Sequence, residues 1–190
     1  MKSIAVYCSS SDIIHQEYFN AAKQLGESMA DNNLQLVYGG GIVGLMGAVA
    51  RSVKQNGGKT LGVIPKALNI DKVVNDIDDE LIVTDGMRER KAIMDERADA
   101  FVGLPGGFGT FEEMFEVLTL KQLGYHDKAI VFLNIKGYYN KLLEMFEHIY
   151  AEKFAKEQYR VLYHVSDTVD DVISYLADYE APDLPAKWFI

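Results

Sequence analysis

The chain has 190 residues, 48% hydrophobic and 25% charged, a composition typical of one globular domain with a well-buried core. With 19 Lys and Arg against 28 Asp and Glu, its formal net charge of −9 argues against wrapping nucleic acid, although a local pocket can still hold a small phosphorylated ligand. The one cysteine, Cys8, cannot form an internal disulfide or a zinc cluster. No apolar run approaches about 18 residues, and the N-terminus turns polar too early for a signal peptide, so we expect a cytoplasmic protein without a membrane span.

Apolar runs with strand character alternate along the chain with segments of helical periodicity. The predicted strands are 3–8, 34–38, 60–64, 81–84, 98–104, 129–134 and 161–165. The predicted helices are 15–31, 43–55, 86–97, 110–123, 138–154 and 168–176. This alternation predicts an α/β fold, a single Rossmann-like domain with a parallel sheet and helices on both faces. We expect the domain to span residues 1–180, with an irregular acidic segment at 66–80 and a C-terminal tail at 181–190.

The first glycine cluster, Gly39-x-Gly41-x-x-Gly44, lies between a predicted strand and a predicted helix, as the dinucleotide-binding fingerprint requires. The next strand ends at Pro65 without the carboxylate that an NAD site uses for the ribose 2′-hydroxyl. Two interpretations stay open. Gly40 and Gly41 are candidate nucleotide contacts, or the glycines only let helix and strand pack closely.

The second glycine cluster, Pro105-Gly-Gly-Phe-Gly109, follows an apolar strand and precedes a helix that we predict to begin at Thr110. Its glycines remove side chains where a ligand could approach the backbone, and a helix N-terminus favours phosphate. Thr110-Phe-Glu-Glu113 also has the form of a capping box, in which Glu113 only accepts from the Thr110 N–H. Alternatively, the helix dipole stabilises the Glu113 anion, which is then suited to face a developing cation.

A basic helix, Met87-Arg-Glu-Arg-Lys91, precedes the second cluster. Arg90 shares a helix face with Met87 and Met94, and a half-buried guanidinium there needs a carboxylate or a phosphate as partner. Arg88 and Lys91 lie at the sides of that face, where basic residues are usually solvated.

Together, these motifs resemble the LOG (Lonely Guy) family. The segment 105–113 matches PGGxGTxxE, the basic helix precedes it at the usual interval, and Tyr38–Gly47 matches the first loop. The likeness extends from residue 4 to about residue 175 and includes Gln122-Leu-Gly and Asn134-x-x-Gly-Tyr-Tyr139. It departs after the first strand, where Cys8-Ser-Ser-Ser-Asp12 replaces the family's Gly-Ser pair and later Gly. LOG enzymes are cytokinin riboside 5′-monophosphate phosphoribohydrolases, often mislabelled as lysine decarboxylases.

The resemblance implies a Rossmann-like homodimer whose active site lies near the subunit interface and uses no cofactor or metal. The substrate would be a nucleoside 5′-monophosphate, either a cytokinin nucleotide or AMP, and the products a free base and ribose 5-phosphate. Catalysis is assigned to Arg90 and Glu113. Substrate contacts are assigned to Met87, Lys91, Gly106, Gly107, Phe108, Gly109, Thr110, Glu112 and Thr119.

Breaking the bond from C1′ to N9 builds positive charge on the ribose. Glu113 would stabilise that charge or orient the water, while the amides of 106–110 would hold the phosphate. Arg90 would pair either with Glu113 or with the phosphate. We expect Glu113→Gln and Arg90→Ala each to lower turnover by orders of magnitude in an intact fold. The alternatives are a non-catalytic nucleotide-binding or sensing module, a pyridoxal-phosphate decarboxylase and an NAD oxidoreductase.

Overall fold

The computed structural model describes residues 1–70 and 77–183. Within them, seven strands form one sheet: β1 Ser3–Tyr7, β2 Gln35–Tyr38, β3 Thr60–Pro65, β4 Glu80–Thr84, β5 Ala100–Gly103, β6 Ala129–Leu133 and β7 His164–Ser166. The α-helices of the same ranges are α1 Gln16–Asp31, α2 Gly44–Gln55, α3 Met87–Arg97, α4 Phe108–Gln122, α5 Asn140–Ala151 and α6 Val169–Ala177. None of these helices is long and apolar enough to cross a membrane.

All strand pairs are parallel, and the strand order is β4-β3-β2-β1-β5-β6-β7. The chain therefore builds outward from β1 to β4 and then returns to the other side of β1 with β5. Ligands of open α/β sheets bind beyond the carboxyl ends of the strands, at the point where the order reverses. Because β1 and β5 are direct neighbours, the loops that follow them touch, and the Ser9 N–H donates to the Pro105 carbonyl at 3.1 Å.

Two apolar cores cover the two faces of the sheet. Alternate residues of β1 divide between them, since Ile4 and Val6 face the helices α1, α2 and α6, while Ala5 and Tyr7 face α3, α4 and α5. Strands buried on both faces explain the unbroken apolar runs of the sequence. The predicted α/β class, with a parallel sheet between two helical layers, is confirmed.

The predicted element boundaries hold to within a few residues, with two informative exceptions. The helix after the second glycine cluster begins at Phe108 rather than Thr110. The predicted strand 161–165 shifts to 164–166, because residues 157–162 form a 3₁₀ turn. Of the acidic segment 66–80, residues 71–76 lie outside the described residues, as do 184–190 of the tail; the domain bounds stay predictions.

Candidate active site

A cavity of about 420 Å³ opens at the carboxyl end of the sheet, at the reversal of strand order. The structure brings six of the predicted site residues to its wall: Gly41, Met87, Arg90, Gly109, Thr110 and Glu113. Apolar side chains supply much of the remaining lining, namely Val43, Met46, Ile64 and Leu68. Residues of both glycine clusters and of the basic helix therefore meet around one space, together with residues that follow β1 and β3.

Arg90 and Glu113 form a buried ion pair at this cavity. The Arg90 Nη1 donates to the Glu113 Oε1 at 2.7 Å, and the two residues are only 8% and 9% exposed. The Arg90 Nε donates to the Val63 carbonyl at 3.0 Å, which holds the guanidinium against β3. A Cβ on Gly39 would overlap the other end of the guanidinium, so this position needs glycine. Of the two partners considered for Arg90, Glu113 is the one that it contacts in this structure.

The electrostatics of Glu113 reflect its burial. Loss of water raises the pKa of the Glu113 carboxyl, and the Arg90 charge opposes that rise. Burial, together with the Glu113 charge, also raises the pKa of the neighbouring Cys8 thiol. Cys8 is thus a neutral buried thiol rather than a nucleophile, as its position in an apolar strand predicts.

The helix α4 starts in a way that removes the capping-box interpretation. Its N-cap is Gly107, no side chain caps it, and its first turn holds no acidic residue. A helix beginning at Thr110 would place Glu112 and Glu113 in its first turn, but the helix starts two residues earlier than predicted. Glu113 falls in the second turn, from which its side chain reaches Arg90 instead of the helix terminus.

The N-terminus of α4 is open. The first hydrogen bond of the helix runs from the Phe111 N–H to the Gly107 carbonyl, so the N–H groups of Phe108, Gly109 and Thr110 have no carbonyl partner inside the helix. A Cβ on Gly107 or Gly109 would meet nothing within 4 Å, so neither glycine is explained by packing within the chain. In contrast, Gly106 leaves space for the Thr110 hydroxyl, which a Cβ would overlap. Phe108, at the first helical position, is 96% exposed.

The N-terminus of α2, after the first glycine cluster, is closed by the chain itself. The Asp12 Oδ1 accepts from the Gly44 N–H at 2.8 Å, and the Ser9 carbonyl accepts from Leu45 at 2.9 Å. Gly44 has φ of 59°, and a Cβ there would lie 2.5 Å from the Ser9 carbonyl oxygen. The Asp12 carboxylate occupies the place that a phosphate takes in the dinucleotide fingerprint.

The other predicted residues of the first loop have different surroundings. Gly40 has φ of 70° and packs against Ile64, so it serves the turn rather than the cavity, whereas Gly41 lines the cavity. Sequence reasoning missed Gly39 and Asp12. Only the proximity of Gly39 to Arg90 and of Asp12 to α2 in the folded chain reveals their roles.

Seven predicted contacts lie outside the cavity wall of this chain, namely Gly40, Lys91, Gly106, Gly107, Phe108, Glu112 and Thr119. Lys91 forms ion pairs with Glu112 and, at 2.7 Å, with Glu116, and so ties α3 to α4. The expectation of a solvated Lys91 is wrong, whereas Arg88 is exposed. Thr119 lines a separate apolar groove between α4 and α5, which includes Phe146. Among the described residues, no group of three or more His, Cys, Asp or Glu side chains could hold a metal ion.

Comparison with known proteins adds to this geometry. A family model described as "Possible lysine decarboxylase" matches residues 46–176. A probable cytokinin riboside 5′-monophosphate phosphoribohydrolase of Oryza sativa subsp. japonica is 41% identical over 176 residues, which cover 93% of this chain and 79% of that protein. A cytokinin riboside 5′-monophosphate phosphoribohydrolase of Arabidopsis thaliana is 39% identical over 178 residues, covering 94% and 84%.

Solved structures share the fold. The Moco carrier protein of Chlamydomonas reinhardtii is 25% identical with a TM-score of 0.71, covering 92% of this chain and 94% of that chain. The molybdenum cofactor binding protein of Rippkaea orientalis is 21% identical with a TM-score of 0.72 and the same coverage.

The catalogued relatives are hydrolases that act on the N-glycosidic bond of nucleotides, and the predicted resemblance is confirmed. With relatives about 40% identical over most of its length, the chain belongs to the LOG family of phosphoribohydrolases.

Proposed function

We propose that this protein hydrolyses the N-glycosidic bond of cytokinin riboside 5′-monophosphates, and of AMP, to a free base and ribose 5-phosphate. The buried Arg90–Glu113 pair at the cavity, beside the open N-terminus of α4, is the observation that carries the proposal. An anion site and a carboxylate on the same helix suit a substrate with a phosphate at one end of its ribose and a bond to be broken at the other.

The phosphate would lie at the N-terminus of α4, where the first-turn amides and the helix dipole favour an anion. The ribose would then extend toward Glu113. As the bond from C1′ to the base breaks, positive charge builds on the sugar, and the Glu113 carboxylate would stabilise it or orient the attacking water. Charge stabilisation of this kind is strongest in a site from which water is excluded, which the burial of Glu113 provides.

Arg90 would be a positioning residue in this mechanism. Its contacts with the Val63 carbonyl and with Glu113 hold the carboxylate in one place, and its charge favours the ionised form against the effect of burial. The apolar lining from Val43, Met46 and Leu68 suits the base and an apolar substituent on it. We also propose the homodimer that the resemblance implies, which light scattering on the purified protein would test.

The second candidate is a non-catalytic nucleotide-binding module. It is favoured by the fold shared with the Moco carrier protein and with the molybdenum cofactor binding protein. The same loops would then hold a phosphorylated ligand without turnover. The buried ion pair favours the hydrolase, because a carrier has no need for a desolvated carboxylate beside the sugar.

Incubation with N6-isopentenyl-AMP and with AMP, followed by chromatography of the products, tests the proposal. We expect free base and ribose 5-phosphate in equal amounts from each substrate, and far less of both products with Glu113→Gln. If calorimetry shows that the nucleotides bind while no base is released, the binding module is the correct function and the hydrolase proposal is wrong.

A further inference from the structure

Three successive carbonyls of the loop between β5 and α4 accept hydrogen bonds from other segments of the chain. The Tyr138 hydroxyl donates to the Gly106 carbonyl, and the Tyr139 hydroxyl donates to the Leu104 carbonyl at 2.6 Å. The carbonyl between these two accepts from the Ser9 N–H at 3.1 Å. Two consecutive tyrosines after β6 and one amide after β1 therefore determine the orientation of the loop.

Two of these hydrogen bonds also orient an N–H group, whereas the residue after Leu104 is a proline and has none. In a trans peptide the carbonyl of one residue and the N–H of the next point in opposite directions. A Gly106 carbonyl that is turned toward Tyr138 turns the Gly107 N–H away from Tyr138. The hydrogen bond from the Ser9 N–H to the Pro105 carbonyl likewise fixes the direction of the Gly106 N–H. These two amides immediately precede the first turn of α4, so they add donors to its open N-terminus.

The Tyr138 hydroxyl is itself well fixed. Its ring stacks on Phe111 with centroids 6.4 Å apart and meets the edges of Tyr18 at 6.0 Å and Tyr139 at 5.1 Å. The Tyr139 N–H donates to the Asn134 Oδ1 at 2.7 Å, which anchors the backbone beside it. Burial raises the pKa of the Tyr138 phenol, so the group remains a donor at neutral pH.

We propose that Tyr138 is a positioning residue for the 5′-phosphate: its hydroxyl fixes the peptide between Gly106 and Gly107 so that the Gly107 N–H faces the anion before the substrate arrives. Donors that are ordered in advance lower the entropy that binding loses. The assignment rests on the proposed function in taking a phosphorylated ribose as the ligand. It adds a residue that lies outside the catalytic pair and outside the glycine loop.

The variant Tyr138→Phe tests it, because the ring contacts stay and one hydroxyl is lost. Calorimetry would measure its affinity for ribose 5-phosphate, AMP and adenosine, and steady-state kinetics its KM and kcat for AMP. We expect about fivefold weaker binding of both phosphorylated ligands and a matching rise in KM, as for one lost hydrogen bond. Adenosine affinity and kcat should change less than twofold.

Tyr179→Phe is the matched control. Its hydroxyl also donates to a backbone carbonyl, that of Asp127 at 2.6 Å, and it accepts from Lys121 at the opposite end of α4. This variant should leave the affinity for ribose 5-phosphate and the KM unchanged. A similar loss in Tyr179→Phe would mean that any removed tyrosine hydroxyl weakens the protein in general, and would overturn the role of Tyr138.

The outcomes separate this assignment from the proposed function. If the wild-type protein binds AMP without hydrolysing it, the hydrolase proposal fails, but the affinities still test Tyr138. Unchanged affinity for ribose 5-phosphate in Tyr138→Phe overturns the positioning role, even if AMP is hydrolysed. An equal loss for adenosine and AMP overturns it too, because the effect would then not concern the phosphate.

Discussion

Two glycine loops of this protein look alike in the sequence and differ in the folded chain. Each follows a buried strand, contains three or more glycines and leads into a helix at the carboxyl end of the sheet. The first loop ends at α2, whose leading N–H groups are taken by Asp12 and by the Ser9 carbonyl. The second ends at α4, whose N-cap Gly107 has no side-chain partner.

The glycines themselves show the same difference. In the first loop, Gly39 makes space for the Arg90 guanidinium and Gly44 adopts a left-handed conformation against Ser9. In the second, a side chain on Gly107 or Gly109 would meet empty space. Gly107 and Gly109 therefore leave space at the N-terminus of α4 that the chain itself does not fill, which suits the proposed phosphate.

The largest effect on activity is expected from a substitution in α4, the helix that follows the second glycine loop. Glu113→Gln removes the charge that faces the developing cation but keeps an oxygen that can accept from Arg90. We expect kcat for AMP to fall by roughly 10²–10⁴-fold. The melting temperature should also fall, because the Arg90 guanidinium stays buried without its counter-charge, so activity is compared where both proteins are folded. A kcat close to that of the wild-type protein would contradict the contrast between the two loops, because the chemistry would then not depend on the helix after the second loop.

Arg90→Ala is a poorer test than the sequence suggests. It leaves the Glu113 carboxylate buried without its partner, and breaking a buried pair costs about 3–5 kcal/mol of stability. The expectation that the Arg90→Ala fold stays intact must therefore be revised. Arg90→Lys retains the positive charge and is therefore the less destabilising substitution at this position.

The second prediction concerns pH. Since burial raises the pKa of Glu113 despite Arg90, the carboxylate is protonated at a higher pH than an ordinary glutamate, whose pKa is about 4.3. If the anion is the active form, kcat should fall about tenfold per pH unit on the acidic side of this raised pKa. Measuring the affinity for ribose 5-phosphate over the same pH range distinguishes protonation of Glu113 from protonation of the substrate phosphate. An acidic limb that persists in the residual activity of Glu113→Gln would contradict the assignment.

A pair of alanine substitutions sharpens the comparison directly. Gly44→Ala forces a left-handed residue and a 2.5 Å approach to the Ser9 carbonyl, so we expect a loss of about 2 kcal/mol or more in unfolding free energy. Gly107→Ala should change that free energy by less than about 1 kcal/mol. The same variant should nevertheless bind ribose 5-phosphate about tenfold more weakly. Thermal melts and calorimetry on both variants give the answer. The reverse pattern would show that the roles of the loops are exchanged.

The smallest effect is expected at the closed terminus. Asp12→Ala removes the carboxylate that caps α2 and should lower stability by about 1 kcal/mol. Asp12→Asn keeps an accepting oxygen and should lose less. Affinity for ribose 5-phosphate should stay within twofold in both variants. A clear change in that affinity would mean that the first loop also holds the phosphate.

The sequence by itself determined the fold class and the identity of the two loops. Strand and helix are visible as periods of two and of 3.6 residues, which are properties of adjacent positions, and short glycine strings are equally local. Arg90 is recognisable in the same way, because two methionines on its helix face indicate a half-buried guanidinium. The same local pattern predicts the start of α4 at Thr110, because threonine is a preferred cap and glycine at the N-cap is a weaker signal.

Only the tertiary structure decided which loop is open. The capping of Gly44 by Asp12, the fit of Arg90 over Gly39 and the Tyr138 contact with the loop before α4 join segments far apart in the chain. Each depends on the order of the strands, which brings β1 beside β5, and no local period encodes that order. Whether a helix terminus binds the chain's own carboxylate or stays free for a phosphate is therefore a result of topology.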